Sequence, residues 1–360
     1  MFENFHGNVE AQRVLAGMIA SQRMPQTILL AGPEGIGKAT LARRFAAAIV
    51  GHAEQIEKDD LSLAANLDVI AEREKWTAEK RNEDPILFNT HADFVTFCPE
   101  GPLRQLSIPQ MRALKERAQY GPLKGPRKVF LIDQIDRANE QAANSLLKTL
   151  EEPPPYLIIV ATATNAYDLL PTIRSRSVPI YLTPLSKPEM AAFAAEKGLK
   201  DVERRMALAA GSPGLAMSLE LAVYDKRRAQ MLALLGAACG MLPWGDWAKT
   251  SEALNASRSE KLENHLKVLY LLLEDLLLIR CEARNATLRN FDIRRELEGL
   301  ARVITFDWIQ KAVRKTDELV DLLRRNIQKG IALDAMVLEP VSYTHLRAHE
   351  TKANLVCRLL

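Results

Sequence analysis

The sequence predicts an α/β fold: a parallel-sheet domain in the first half of the chain, then an all-α second half. Three observations carry this. Residues 32–38 read Gly-Pro-Glu-Gly-Ile-Gly-Lys, a phosphate-binding loop set between a short apolar run and a helix-forming run. Up to about Leu182, β-type runs alternate with helical ones, the pattern of right-handed βαβ units on a parallel sheet. From Leu215 onward the pattern is almost wholly helical.

Taken in order, Thr-Ile-Leu-Leu-Ala at 27–31 is apolar and partly β-branched, as a buried parallel strand requires. Residues 39–50 are strong helix formers with apolar spacing. The charged stretch 54–85, within a wider insert of about 51–92, predicts one or two solvated helices. Residues 92–98 read as a strand, and 108–120 as a helix with an apolar stripe at Ile108, Met111, Leu114 and Ala118. A Gly/Pro turn follows at 121–127, then a strand at 129–133 that ends on an acid. The helix at 139–152 is stopped by Pro153, Pro154 and Pro155, and 156–162 is the next strand. Binding residues belong at the carboxyl ends of such strands. Short helices are expected at 187–198 and 202–210, closed by Gly-Ser-Pro-Gly at 211–214. Amphipathic runs at 226–240, 258–284 and 307–329 predict a packed helical bundle, since their apolar faces are interrupted too often for heptads. The alternative for these runs is a membrane-surface or coiled-coil role.

The composition limits the functional class. With 360 residues, 48% of them hydrophobic, the chain has room for two or three domains. A net charge of +3 does not announce nucleic-acid binding but leaves room for a local basic face. Cys98, Cys239, Cys281 and Cys357 are scattered, which fits a reducing compartment and argues against a disulfide framework or a zinc site. The N-terminus lacks the basic and apolar regions of a signal peptide. The apolar run 268–279 is interrupted by Glu274 and Asp275 and is short of the ~20 residues of a membrane span. The expectation is a cytoplasmic protein with no membrane partner.

The candidate nucleotide-binding residues are Gly32, Gly35, Gly37, Lys38, Ala39, Thr40 and Asp133. The glycines let backbone N–H groups approach a phosphate, the helix N-terminus adds a partial positive charge, and Lys38 adds a full one. The alternative is a Gly-rich strand-to-helix turn with no ligand. The loop pattern asks for Ser or Thr at position 39, whose hydroxyl would hold Mg²⁺, and this chain has Ala39. Thr40 is one residue late and points about 100° round the helix. Any Mg²⁺ would therefore rely on the nucleotide and water. Asp133, at a strand end after the loop, is placed to reach Mg²⁺ through water; the alternative is an ordinary strand-end acid. The next position often carries a Glu that polarises water, but here it is Gln134, whose amide cannot take a proton. Asp136 is read as solvated or as a cap of the following helix.

Residues 144–154 (Asn-Ser-Leu-Leu-Lys-Thr-Leu-Glu-Glu-Pro-Pro), with Phe-Leu-Ile-Asp at 130–133 before them and Leu-Leu-Pro-Thr-Ile-Arg-Ser-Arg-Ser at 169–177 after, strongly resemble the AAA+ clamp-loader family of bacterial DNA polymerase III. The resemblance is closest to its delta-prime subunits, with gamma/tau as near relatives. It covers about residues 1–340 in layout, with its specific motifs within 27–217. It implies an AAA+ domain over 1–182, a helical lid over 183–222 and a helical collar over 223–340. It also implies a hetero-pentameric ring with gamma/tau and delta subunits that opens a sliding clamp onto primer-template DNA. In active members the lid carries an Arg that contacts the γ-phosphate; the matching position here is Gly214. The Arg of the family's Ser-Arg-Cys motif is kept as Arg176, which the resemblance makes an arginine finger acting in the neighbouring subunit's ATP site; the alternative is a surface arginine after a strand-like loop. Ser177 replaces the Cys at similar size.

The resemblance thus implies a largely non-hydrolysing stator, with ATP bound without turnover if it is bound. By family the holoenzyme is a DNA-directed DNA polymerase, while this chain is expected to have little ATPase or polymerase activity of its own. The alternatives are an active gamma/tau-type ATPase and a nucleotide-binding AAA+ switch outside replication. Relatives carry a four-cysteine zinc module after the loop helix. The insert here has no cysteine, and His52 and His91 are read as too isolated to replace it, so no zinc is expected. Residues 341–360 are read as a non-native tail, of which 341–351 resemble translated sequencing-adapter read-through; the alternative is metal binding by His345 and His349 at i,i+4 spacing.

Overall fold

The computed structural model describes residues 2, 4–256, 261–283, 287–323 and 333–334, so the expected tail at 341–360 lies outside the described residues. Two compact units emerge. One is Met1–Val202 with Gly211–Met217; the other is Glu203–Ala210 with the chain from Ser218 onward. The segment expected to form a lid, 183–222, is divided between them.

The first unit is built on five parallel strands: β1 (Thr27–Ala31), β2 (Phe94–Phe97), β3 (Lys128–Ile132), β4 (Leu157–Ala163) and β5 (Val178–Tyr181). Their order in the sheet is β2-β3-β4-β1-β5. Every residue of β1 to β4 is buried, which is why each reads as a nearly unbroken apolar run. β5 is a correction to the sequence reading. Val-Pro-Ile-Tyr buries only Ile180, and Pro179 is tolerated because β5 pairs on one side alone, with β1. The apolar packing against the sheet includes Leu29, Phe97, Phe130, Leu146 and Ile159. Each side chain of that size contributes about 1.5–3 kcal/mol on full burial.

The helices of this unit are α1 (Val9–Ala20), α2 (Lys38–Val50), α3 (Ala53–Glu57), α4 (Ala64–Glu74), α5 (Ala78–Glu83), α6 (Ile108–Ala118), α7 (Glu140–Glu151), α8 (Pro171–Arg174) and α9 (Lys187–Glu196). α6 and α9 open on full capping boxes, Ser107 with Gln110 and Ser186 with Glu189. Asn139 caps α7 by accepting from the Ala142 amide. α1 has no counterpart in the sequence reading. The insert forms three short helices, α3 to α5, and is less solvated than expected. Arg43 of α2 is buried beneath it and pairs with Glu57, at 3.0 Å, and with Asp60. Ile56, Ile70 and Ile86 are buried there too. His52 and His91, read as isolated, in fact lie together, with ring centroids 5.2 Å apart.

α10 (Val202–Ala209) and α11 (Pro213–Ser218) follow in the chain, and α11 packs with the first unit up to Met217. The second unit is a bundle of α12 (Leu221–Ala238), α13 (Trp244–Ala256), α14 (Leu262–Arg280), α15 (Arg294–Val303) and α16 (Phe306–Leu323). α14 is central and packs on α12, α15 and α16. Leu234, Trp247, Leu269, Leu272 and Leu297 are fully buried in its core. This is the bundle that the amphipathic runs predict. Among the described residues no helix is long and apolar enough to cross a membrane.

Candidate functional site

The loop 32–37 leaves the carboxyl end of β1 and enters α2 at Lys38. Gly37 precedes the helix in the left-handed region, and the Leu41 amide donates back to its carbonyl at 2.9 Å to close the first turn. Ala39 and Thr40 lie in that turn, where helical N–H groups have no intrahelical acceptor. Together with the loop amides they form a cradle suited to an anion.

The cradle's own residues occupy part of it. Lys38 folds back, and its Nζ donates to the carbonyls of Gly32 at 2.6 Å and Pro33 at 2.8 Å. Burial pushes the Lys38 ammonium below its usual range, while Asp133, Asp136 and Glu34 oppose that shift. The start of α11 sits on the loop, where the Gly214 amide donates to the Gly35 carbonyl at 2.8 Å. A Cβ on Gly214 would lie 2.8 Å from that same oxygen. A Cβ on Gly35, at φ +74°, would lie 2.8 Å from the Leu215 amide nitrogen. The Phe5 ring also lies against Gly37.

Asp133 follows β3, and β4 lies between β3 and β1. Register pairs Ile132 with Ala161, so Asp133 meets Thr162. The Thr162 hydroxyl donates to Asp133 Oδ1 at 2.6 Å and accepts from the Gln134 amide at 2.8 Å. Gln134 Nε2 lies 3.4 Å from Asp133 Oδ2. Burial pushes the Asp133 carboxyl above its usual range, against the hydrogen bond from Thr162. Asp136 does not cap α7; its carboxylate accepts from the Thr164 amide at 3.0 Å. Thr162 was missed in the sequence reading, although a hydroxyl within Leu-Ile-Ile-Val-Ala-Thr-Ala is a visible polar interruption.

The residues present fit a phosphate better than a metal. Position 39 offers no hydroxyl, and Asp133 is already engaged by Thr162 and Gln134. Among the described residues no group of three or more His, Cys, Asp or Glu could hold a metal ion.

The structure does not bring Arg176 to this loop. It follows α8, and Nη2 lies 2.8 Å from Glu151 Oε1 at the end of α7. Nη1 donates to the Thr172 carbonyl at 2.9 Å and to Ser175 Oγ at 3.3 Å. About a third of the side chain is exposed. Sequence reasoning also missed Glu151. The available signal was an acid at the last position of a helix, where the macrodipole disfavours negative charge.

A parallel sheet in this order, with a glycine-rich loop from β1 into α2 and an acid at the end of β3, defines a P-loop-type α/β fold. The sequence model described as "DNA polymerase III, delta subunit" matches residues 7–186, half of the chain. The chain belongs to this family of clamp-loader proteins. DNA polymerase III subunit delta' of Pseudomonas aeruginosa is 29% identical over 208 residues, 57% of this chain and 58% of that protein. Subunit tau/gamma of Haemophilus influenzae is 25% identical over 190 residues, 53% of this chain and 25% of that protein. The chain thus spans less than two thirds of either relative. A DNA polymerase III gamma subunit-related protein from Thermotoga maritima aligns over 91% of this chain and 98% of its own, with 18% identity and a TM-score of 0.44.

Proposed function

We propose that this chain is a delta-prime-type subunit of a DNA polymerase III clamp loader, a stator with little or no ATP hydrolysis of its own. It braces a ring of gamma/tau and delta subunits that loads a sliding clamp on primer-template DNA in the cytoplasm. Arg176 acts as a finger in the ATP site of the adjoining subunit.

The observation that carries this reading is the contact between Gly214 and Gly35. Where an active subunit would place an arginine over the γ-phosphate, this chain has a glycine whose backbone rests on the loop itself, with no room for a side chain. Ala39 and Gln134 remove the metal-binding hydroxyl and the basic carboxylate in the same chain. Any nucleotide held here is held by backbone amides and Lys38 without turnover, and zinc has no part.

The second reading, an active gamma/tau-type ATPase, is favoured by the tau/gamma relative and by the intact Lys38. Steady-state ATPase of the purified chain separates the two. The stator reading expects no Mg²⁺-dependent turnover above background, and turnover at the rate of an active subunit would return the second reading. Pull-down of the chain with other loader subunits tests the ring, and failure to recover them would favour an AAA+ switch outside replication.

A further inference from the structure

Arg176 is held by its own chain before any neighbour is present. Thr172 and Ser175 take Nη1, and Glu151 takes Nη2. These contacts use three of the five guanidinium donors and leave two for a phosphate. Glu151 is the last residue of α7, the negative end of the helix dipole, where an acid is locally unfavourable. The cation of Arg176 offsets that placement. Glu152, one position on, makes no ion pair among the described residues, so the pairing is specific to one of the two adjacent acids.

We propose that Glu151 is the positioning residue for the arginine finger: its carboxylate fixes a guanidinium that keeps two donors unused by its own chain. This rests on the reading of Arg176 as a finger. A long side chain fixed in advance loses less conformational freedom when it meets the transferring phosphoryl group. Glu151 touches neither nucleotide nor reacting atoms and acts only through Arg176. The pair is about a third to a half exposed, so its effect is modest.

The test is DNA-stimulated ATP turnover by the reconstituted loader carrying wild-type chain, Glu151→Ala, Arg176→Ala, or both, with Glu152→Ala as the charge control. The expected result is a roughly two- to fivefold fall in kcat for Glu151→Ala with KM for ATP unchanged, consistent with a weak exposed pair. Glu152→Ala should match wild type. In the Arg176→Ala background, Glu151→Ala should add nothing, because it acts through that arginine. A wild-type or raised kcat for Glu151→Ala overturns the inference, as does a further loss in the Arg176→Ala background. If Arg176→Ala is itself silent, the finger reading falls; if Arg176→Ala is crippled and Glu151→Ala is not, only the positioning role falls.

Discussion

The Gly214 amide donates to the Gly35 carbonyl at 2.8 Å, joining the start of α11 to the glycine-rich loop 32–37. Two glycines far apart in sequence meet where neither has room for a Cβ. Glycine at position 214 therefore lets backbone rest on backbone.

Gly214→Arg, the residue type that the proposed function assigns to active subunits here, should not confer ATPase activity. It should displace α11 from the loop and destabilise the chain by about 1–3 kcal/mol, the usual range for overpacking. Thermal melting with an ATPase assay checks both. A stable variant that hydrolyses ATP would show that the loop is blocked by this one residue.

Asp133 should make stability depend on pH. Its folded-state pKa is raised by burial, so its contribution is fully present below the ordinary Asp value of 3.8 and is lost as pH rises through the folded value. Asp133→Asn keeps an oxygen for the Thr162 hydroxyl and removes the charge. The variant should gain stability over wild type as pH rises from 4 to 7, measured by urea unfolding at each pH.

The buried Arg43 should depend on its two carboxylates. Glu57→Gln with Asp60→Asn leaves a guanidinium buried beneath the insert without the two carboxylates that pair with it, expected to cost about 3–5 kcal/mol. Either single change should cost clearly less, since one carboxylate remains. Chemical denaturation of the three variants measures this.

What was legible in the sequence follows from burial. β1 to β4 and α2 could be read because strands covered on both faces are apolar throughout and a phosphate loop punctuates them. β5 could not, because it is an edge strand holding Pro179 and three exposed residues. Ala39, Gln134 and Gly214 were visible as residue types. Tertiary contacts hid the rest: Arg43 under the insert, His52 against His91, Thr162 between Asp133 and Gln134, and Glu151 on Arg176. Each depends on chain segments that sequence periodicity does not bring together.

Whether Arg176 acts in a neighbour's ATP site is read from DNA-stimulated ATP turnover by a loader reconstituted with Arg176→Ala in this chain. The adjoining site should lose about 10³–10⁵ in rate, with the ring still assembled by size-exclusion chromatography. Turnover equal to wild type in an intact ring would contradict it.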